Sequence, residues 1–318
     1  MQMRTDLVTE QEMRSCRLCP RECGANRLHG EKGFCGMTAR VMAARAALHF
    51  WEEPCISGYR DTGGALSGAY GSGTVFFTGC NLRCVYCQNS EIAAGRAGHE
   101  VSIPRLAEIF LELQEKGACN INLVTPTPFI PQIAEAVRMS RESGLRLPIV
   151  CNCGGYESVH ALRLLDGIVD VYLTDFKYMD AEAAGRYSAA PDYPEAAKAA
   201  LQEMVRQVPA AAFDSRGVMT RGVIVRHLLL PGMVRNAREV VRYLRETYGD
   251  TLWVSLMRQY TPMKGIDRMY PELGRRVTAR EYRKMVDYAL DLGLTNCFIQ
   301  DSGTAQESFI PAFNGEGL

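Results

Sequence analysis

Three cysteines in the first third of the chain have the residue type and spacing of metal ligands. Cys80, Cys84 and Cys87 lie in the stretch FFTGCNLRCVYCQNS with the spacing C-x3-C-x2-C. A structural zinc site takes four protein ligands, commonly in C-x2-C pairs. A four-iron cluster held by three cysteines leaves one iron without a protein ligand, where a substrate can bind. The spacing therefore favours an iron–sulfur cluster, and a zinc loop with a remote fourth ligand is the alternative.

A second group of cysteines lies near the N-terminus. Cys16, Cys19, Cys23 and Cys35 have the spacing C-x2-C-x3-C-x11-C in a segment rich in arginine and glycine. So short a segment has too little apolar content to fold alone, and a bound metal would stabilise it. Four thiols fit a closed zinc site. They also fit a fully ligated auxiliary [4Fe–4S] cluster, since Pro20 follows Cys19 as in ferredoxin-type ligand sets. Zinc is slightly favoured, and both remain open.

Seven short runs of apolar and β-branched residues predict the strands that position these cysteines. Several runs are apolar almost throughout, which is typical of parallel strands covered on both faces. The predicted strands span 74–78, 120–124, 147–151, 169–175, 222–230, 252–257 and 296–300. The three-cysteine loop leaves the C-terminal end of the first strand, where βα proteins carry their reactive loops.

Helical patterns fill the segments between these strands. Apolar residues recur at helical spacing over 106–113, with Ser102 as the expected cap, and again over 130–137. Thr278 and Glu281 form a capping box ahead of a later helix. The alternation predicts an α/β fold, a partial (β/α)6 barrel of the TIM type, and an open doubly wound sheet is the competitor. We expect a cysteine-rich metal-binding module over 1–55, a glycine-rich lead-in over 58–73, and the barrel over 56–318.

Composition and charge restrict the choice of partners. Lysine plus arginine and aspartate plus glutamate number 36 each, so neither nucleic acid nor an anionic membrane is expected to bind. The N-terminal stretch lacks the apolar core of a signal peptide, and no apolar run is long enough to span a membrane. We therefore expect a soluble, cytoplasmic protein. In a reducing compartment, clustered members of its 12 cysteines more often bind metal than form disulfides.

The first strand and its cysteine loop resemble the radical S-adenosylmethionine (SAM) superfamily. Over most of 70–265 the chain is most similar to pyruvate formate-lyase activating enzymes. At full length it resembles a related subgroup, through CRLCPRECGANR, WEEPCISG and LVTPTPF. The resemblance implies that the open iron of a [4Fe–4S] cluster binds SAM. One electron from a flavodoxin- or ferredoxin-type donor then splits SAM into methionine and a 5′-deoxyadenosyl radical.

The resemblance also implies residues that contact SAM. In this chain TPTP replaces the Gly-Gly-Glu-Pro that usually binds the methionine amino group, so Thr125 and Thr127 are the candidates there. Asn152 in CNCGGY is expected to contact the same end of the ligand. Asp175 and Lys177 carry the Asp-x-Lys pattern, in which the lysine would pair with the carboxylate.

The nucleoside end of SAM is assigned by the same resemblance. Arg226 in IVRHLLLPG stands where the family brings an arginine towards the nucleoside. In LMRQYTP, Gln259 and Tyr260 stand where a histidine that contacts the ribose is usual. Both side chains have groups that hydrogen-bond a hydroxyl.

Other chemically suggestive residues have ordinary structural interpretations. Glu52 and Glu53 in HFWEEP are expected on the surface, and contact with a substrate or with the N-terminal module is the alternative. His227 is expected to be a satisfied histidine of the sheet, and contact with the nucleoside is the alternative. The cysteines outside the two groups are expected to act as small apolar residues of the core: Cys55, Cys119, Cys151, Cys153 and Cys297. For Cys151 and Cys153, a thiol that faces the substrate is the alternative.

Three functions follow as hypotheses. The first is an oxidoreductase that resembles the activating enzymes and abstracts hydrogen from a backbone glycine of a glycyl radical enzyme. The second is radical modification of a peptide or a small metabolite. The third is a non-enzymatic adaptor that binds an iron–sulfur cluster or zinc without turnover. Proteins that share a fold often act on different substrates, so the sequence does not identify the molecule from which hydrogen is abstracted.

Overall fold

The computed structural model of the chain describes residues 9–58, 71–300 and 311–318. Most of the predicted glycine-rich lead-in, 59–70, lies outside these residues. The described strands are β1 (Met42–His49), β2 (Ser72–Phe77), β3 (His99–Glu100), β4 (Ile121–Val124), β5 (Ile149–Cys153), β6 (Val171–Asp175), β7 (Ala212–Phe213), β8 (Met219–Leu228), β9 (Trp253–Met257) and β10 (Cys297–Ile299).

The strands form one curved, mostly parallel sheet. Its order is β10-β9-β8-β6-β5-β4-β2-β1-β3, and the short β7 pairs with β8. Neighbouring strands from β2 to β10 pair in parallel, whereas β1 is antiparallel to both β2 and β3. All seven predicted strands are confirmed, and so is an α/β fold consistent with a partial barrel.

The burial of the strands explains their composition. Every residue of β2 and of β4 is buried, as expected where side chains on both faces of a parallel sheet are covered. The same rule accounts for β5 and β6, in which the residues that are not fully buried, Asn152 and Asp175, lie towards the carboxyl ends of the strands. Apolar side chains thus fix the strands, and polar ones appear where the strands open.

Helices connect the parallel strands. The described α-helices are α1 (Pro54–Ser57), α2 (Ser90–Ala93), α3 (Ile103–Glu115), α4 (Ile130–Glu142), α5 (Val159–Arg163), α6 (Ala181–Ser188), α7 (Tyr193–Gln207), α8 (Val234–Tyr248) and α9 (Ala279–Asp291). The cap of α3 is Ser102, whose side chain accepts from the backbone N–H of Arg105. The capping box of Thr278 and Glu281 begins α9 as predicted. No helix in the described ranges is long and apolar enough to cross a membrane.

The N-terminal segment packs directly onto the barrel. Strand β1, which falls within the predicted 1–55 module, lies beside β2 in the main sheet. A Cβ atom at Gly79 would meet the side chain of Met37 and lie 3.0 Å from the carbonyl oxygen of Cys35. Gly79 has a positive φ of 88°, so a glycine is needed here for backbone conformation and for space. The division of the chain at residue 55 remains a prediction.

Candidate functional site

A cavity of about 800 Å³ opens at the carboxyl ends of the parallel strands. This end of a βα sheet is where loops from several strands meet. Ten of the predicted cluster and SAM residues line this cavity: Cys80, Cys84, Cys87, Thr125, Thr127, Asn152, Asp175, Lys177, Arg226 and Gln259. The fold therefore brings together residues that are spread over 180 positions of the sequence.

The three-cysteine loop follows β2 directly and forms one wall of the cavity. Burial, together with the charges of the neighbouring cysteines, raises the pKa of Cys80 and of Cys87 to about 12. Free thiols at these positions are therefore protonated at neutral pH, and only a bound cation would stabilise them as thiolates. Their number, type and position at a strand end match the donor set of a cluster with one open iron.

A chain of hydroxyl groups extends from Cys84 into the protein. The Ser188 hydroxyl lies 3.0 Å from the Cys84 sulfur and 2.9 Å from the Tyr178 hydroxyl. Tyr178 in turn lies 2.7 Å from the hydroxyl of Tyr86. Ser188 is fully buried at the end of α6, and both tyrosines are buried as well. This network couples a predicted cluster ligand to groups that are shielded from solvent.

The loop after β4 contains a strained residue. Thr125 has a φ of 58°, which is a rare conformation for a β-branched residue. Its N–H donates to the carbonyl of Asn152 on the neighbouring strand at 2.9 Å. Strain of this kind is often found where a loop must present a group to a ligand.

Thr127 connects the same loop to a buried carboxylate. Its hydroxyl donates to Oε1 of Glu157 at 2.8 Å. Burial raises the pKa of Glu157 above its ordinary value. Glu157 lies behind the cavity wall, close enough to Cys80 and Lys177 for their charges to interact. A carboxylate from the loop after β5 thus stands near the loop that lacks the usual glutamate.

Asp175 and Lys177 form an ion pair at the end of β6. Burial disfavours the charge of Lys177, but the carboxylate of Asp175 together with Cys84 and Tyr193 outweighs burial and holds the pKa of the lysine well above its usual value. The Lys177 N–H also donates to the Tyr193 hydroxyl at 3.0 Å, which fixes the backbone. The cavity therefore contains a held, permanently charged ammonium group.

Arg226 is the centre of a buried charged group on the neighbouring strand β8, where it is in register with Asp175. Its Nε donates to Oε1 of Glu53 at 2.9 Å, and a terminal nitrogen contacts Glu52. Burial alone would raise the pKa of Glu53, but the guanidinium outweighs burial and lowers it. Asn122 and Asn152 donate to Oε1 of Glu52 at 3.0 and 3.3 Å. We refer to Arg226, Glu52 and Glu53 as the charged triad.

The expectation of surface positions for Glu52 and Glu53 is wrong. Glu53 is only 7% exposed, and the Glu52 side chain is 9% exposed. Both line the cavity because the segment that follows β1 lies at the carboxyl ends of the parallel strands. The two adjacent carboxylates beside aromatic residues were the only local sign, and this pattern does not distinguish a solvated pair from one that neutralises a distant arginine.

The two nucleoside candidates after β9 have different positions. Gln259 lines the cavity, and its Oε1 accepts a hydrogen bond from Gln300 at 3.2 Å. Tyr260 is 2% exposed and donates its hydroxyl to the carbonyl of Leu273 at 2.7 Å. Its ring packs edge-on against Tyr86, with 6.3 Å between ring centroids. Tyr260 therefore supports the cysteine loop from behind and does not reach the cavity.

His227 and most of the cysteines outside the two groups occupy the buried positions expected of them. His227 is buried, and its Nδ1 donates to the carbonyl of Phe176 at 2.8 Å, as expected of a satisfied histidine. Cys55, Cys119 and Cys151 are buried. Cys153 is buried in the core as well and also contributes to the cavity wall, whereas Cys297 is only partly buried and lines the cavity.

The four N-terminal cysteines meet at a second, small cavity of about 20 Å³. It is lined by Cys16, Cys19, Cys23 and Cys35 together with Leu18, Arg27, Phe34, Asn81, Thr127 and Pro128. Asn81 and Thr127 line both cavities, so the two cysteine groups are separated by a thin wall.

Neither group is preassembled as a single-ion site. Within the described parts of the chain, no three histidine, cysteine or acidic side chains are arranged as metal ligands. Burial raises the pKa of Cys19 to about 12 and also raises that of Cys35. Metal binding at either group would therefore bring sulfurs together while protons leave.

Comparison with known proteins extends this description. An uncharacterized protein of Methanocaldococcus jannaschii is 28% identical over 300 residues, which cover 90% of this chain and 78% of that protein. The [FeFe]-hydrogenase maturase HydG aligns with a TM-score of 0.48 at 11% identity, covering 74% of this chain and 53% of HydG. SuiB of Streptococcus suis, bound to its precursor peptide SuiA, aligns with a TM-score of 0.47 at 12% identity, covering 71% and 47%. The chain spans about half the length of these two structures.

The family comparison is more specific. The model of the Radical SAM superfamily matches residues 74–244, which is more than half of the chain and includes the three-cysteine loop. The chain therefore belongs to the Radical SAM superfamily, and this membership implies a [4Fe–4S] cluster and SAM as cofactors.

Proposed function

We propose that Cys80, Cys84 and Cys87 hold the [4Fe–4S] cluster and that the adjoining cavity binds SAM. The observation that carries this proposal is that the three thiols and all but one of the predicted SAM contacts line one cavity. When bound, the two groups supply a one-electron cleavage of SAM to methionine and a 5′-deoxyadenosyl radical that abstracts hydrogen from a substrate. A reduced flavodoxin or ferredoxin is the proposed electron donor.

The residues around the cavity bind and orient the amino-acid end of SAM. Lys177, held charged by Asp175, is the donor for a carboxylate. Thr125 and Thr127 offer oxygen acceptors for an ammonium group. Glu157 stands behind Thr127 and accepts the hydrogen bond of its hydroxyl, which orients the Thr127 oxygen. Asn152 completes this side of the cavity.

The charged triad serves the nucleoside end of SAM. Arg226 and Gln259 are the proposed contacts to the nucleoside. Since Arg226 already binds two carboxylates, its guanidinium is held in position before a ligand arrives. Preorganised donors lose less entropy on binding than mobile ones do. The triad thereby favours one orientation of a bound nucleoside.

The first candidate target is a backbone glycine of a glycyl radical enzyme. The support is the resemblance of the cysteine loop and of the Asp-x-Lys pattern to the activating enzymes. Incubation of the reduced protein and SAM with a candidate partner is expected to give a stable glycyl radical signal by electron paramagnetic resonance. If no partner encoded nearby gives this signal while 5′-deoxyadenosine still forms, the activase assignment is wrong.

A small metabolite or a peptide is the second candidate. It is favoured by the buried polar wall around Glu52 and Glu53, because a few convergent polar groups in a cavity are typical of small-ligand sites. Deuterium transfer from a labelled substrate into 5′-deoxyadenosine would identify such a target.

Replacement of a cluster ligand tests the core of the proposal. Cys84→Ala is expected to abolish both the iron–sulfur absorbance and the formation of 5′-deoxyadenosine. Cys119→Ser is the matched control, since Cys119 is buried and lines neither cavity. A wild-type protein with a complete cluster and no nucleoside product under reduction would favour the non-enzymatic adaptor.

A further inference from the structure

Arg27 in the N-terminal segment is a buried cation that pairs with no carboxylate among the residues the structure describes. It is 1% exposed. Its terminal nitrogens donate to the carbonyl oxygens of Pro128 and Thr38, each at 2.6 Å. Its Nε–H has no hydrogen-bond partner among the described residues. A buried charge that is neither paired nor fully hydrogen-bonded is strongly unfavourable, so this position calls for a nearby anion.

The groups that can supply negative charge next to Arg27 are thiols. Arg27 lines the small cavity with Cys16, Cys19, Cys23 and Cys35. Its terminal nitrogen lies 3.8 Å from the Cys16 sulfur. As free thiols these cysteines are neutral and leave the arginine uncompensated. As four thiolates around a divalent metal they carry net negative charge, and the guanidinium then has its counter-ion.

We infer that Cys16, Cys19, Cys23 and Cys35 hold a four-thiolate metal centre and that Arg27 is its buried counter-ion. Four thiolates with no required open position are the donor set of a closed structural zinc site, so a single zinc ion is the expected occupant. This inference does not rest on the proposed reaction, because the centre shares no ligand with the radical site.

The metal centre is also placed to hold the loop of the radical cluster. Arg21 donates its Nε–H to the carbonyl of Asn81 at 3.1 Å, and Arg83 contacts the carbonyl of Phe34. The carbonyl of Cys35 faces Gly79, immediately before Cys80. Ordering of the N-terminal segment by a metal would therefore order the loop that carries the cluster ligands.

Metal analysis of a variant that cannot form the radical cluster tests the inference directly. Cys80, Cys84 and Cys87 are all replaced by alanine, and the protein is purified without oxygen. We expect about one zinc per chain. About four irons per chain instead would keep the four-thiolate centre and overturn zinc as its occupant. A chain with neither metal would overturn the inference while leaving the proposed radical chemistry untouched.

Two further measurements guard against misfolded variants. Cys23 is exposed, so a free thiol there would be alkylated rapidly in the native wild-type protein. We expect it to be protected until a chelator removes the metal. Immediate complete alkylation would contradict the inference. Arg27→Gln is expected to weaken metal retention against a chelator at least tenfold, and Arg27→Lys, which keeps the charge, less so. If Arg27→Gln retained the metal as well as Arg27→Lys does, the counter-ion role of Arg27 would be excluded.

Discussion

The hydroxyl group of Ser188 lies 3.0 Å from the sulfur of Cys84, across 104 residues of sequence. Ser188 is fully buried at the end of α6, and its hydroxyl also contacts Tyr178. Hydrogen bonds to cluster sulfurs are one of the protein's means of setting a reduction potential. A donor beside Cys84 would stabilise the extra negative charge of the reduced cluster, so the contact is expected to make reduction easier.

Ser188→Ala should therefore lower the reduction potential of the cluster. A net hydrogen-bond contribution of about 0.5–1.5 kcal/mol corresponds to a shift of about 20–60 mV for one electron. Redox titration followed by electron paramagnetic resonance measures the shift. Ser140→Ala is the control, because the Ser140 hydroxyl donates to Val137 within α4 and lines neither cavity. An unchanged potential would show that Ser188 does not donate to the ligated sulfur.

Lys177→Met should weaken SAM binding without loss of the cluster. Removal of one charged hydrogen bond is expected to reduce affinity about 10- to 100-fold. Equilibrium dialysis with the reconstituted protein gives the affinity, and iron content verifies the cluster. Lys198→Met provides a comparison, since Lys198 pairs with Glu195 outside the cavity. If the lysine variant bound SAM normally, our placement of the carboxylate would have to be abandoned.

Arg226→Met should destabilise the fold strongly. The substitution leaves Glu52 and Glu53 buried without their cation, and breaking such a group costs about 3–5 kcal/mol. Adding Glu52→Gln and Glu53→Gln to the same chain should recover part of the loss. Anaerobic urea unfolding compares these variants with Arg235→Met, whose side chain is 93% exposed. If Arg226→Met lost no more free energy of unfolding than Arg235→Met does, the charged triad would be solvated and not buried.

His227 should make the protein less stable in mild acid. Burial lowers the pKa of His227 to about 4, whereas an unfolded histidine titrates near about 6.5. Below that value the unfolded chain binds a proton that the folded chain does not bind. The free energy of unfolding therefore decreases as the pH is lowered. Between about pH 7.5 and about pH 5.5 the wild type should lose about 1 kcal/mol more than His227→Gln. If the wild type and His227→Gln lost the same free energy of unfolding over this pH range, as measured by urea unfolding, the lowered pKa of His227 would be contradicted.

The sequence predicted those features that depend on neighbours along the chain. All seven strands follow from short runs rich in apolar and β-branched residues, and the caps of α3 and α9 follow from side chains within three residues of the helix starts. The cysteine loop was placed correctly at a strand end because the same local pattern fixes both the strand and its exit.

Contacts between segments that are distant along the chain could not be predicted from the sequence. Glu53 meets Arg226 across 173 residues, and nothing near either residue indicates the other. Tyr260 shows how packing selects between two partners that the sequence allows. A tyrosine hydroxyl can bond to a ligand or to a nearby carbonyl, and packing of the ring behind Tyr86 selects the carbonyl of Leu273. Such choices are made by tertiary packing, which local pattern does not encode.

The charged triad joins two distant parts of the sheet. Glu52 and Glu53 lie in the segment that follows β1, on the antiparallel side of the sheet. Their partner Arg226 lies on β8, and the strands β2, β4, β5 and β6 stand between β1 and β8 in the sheet order. The two ion pairs therefore act as a brace between the halves of the curved sheet.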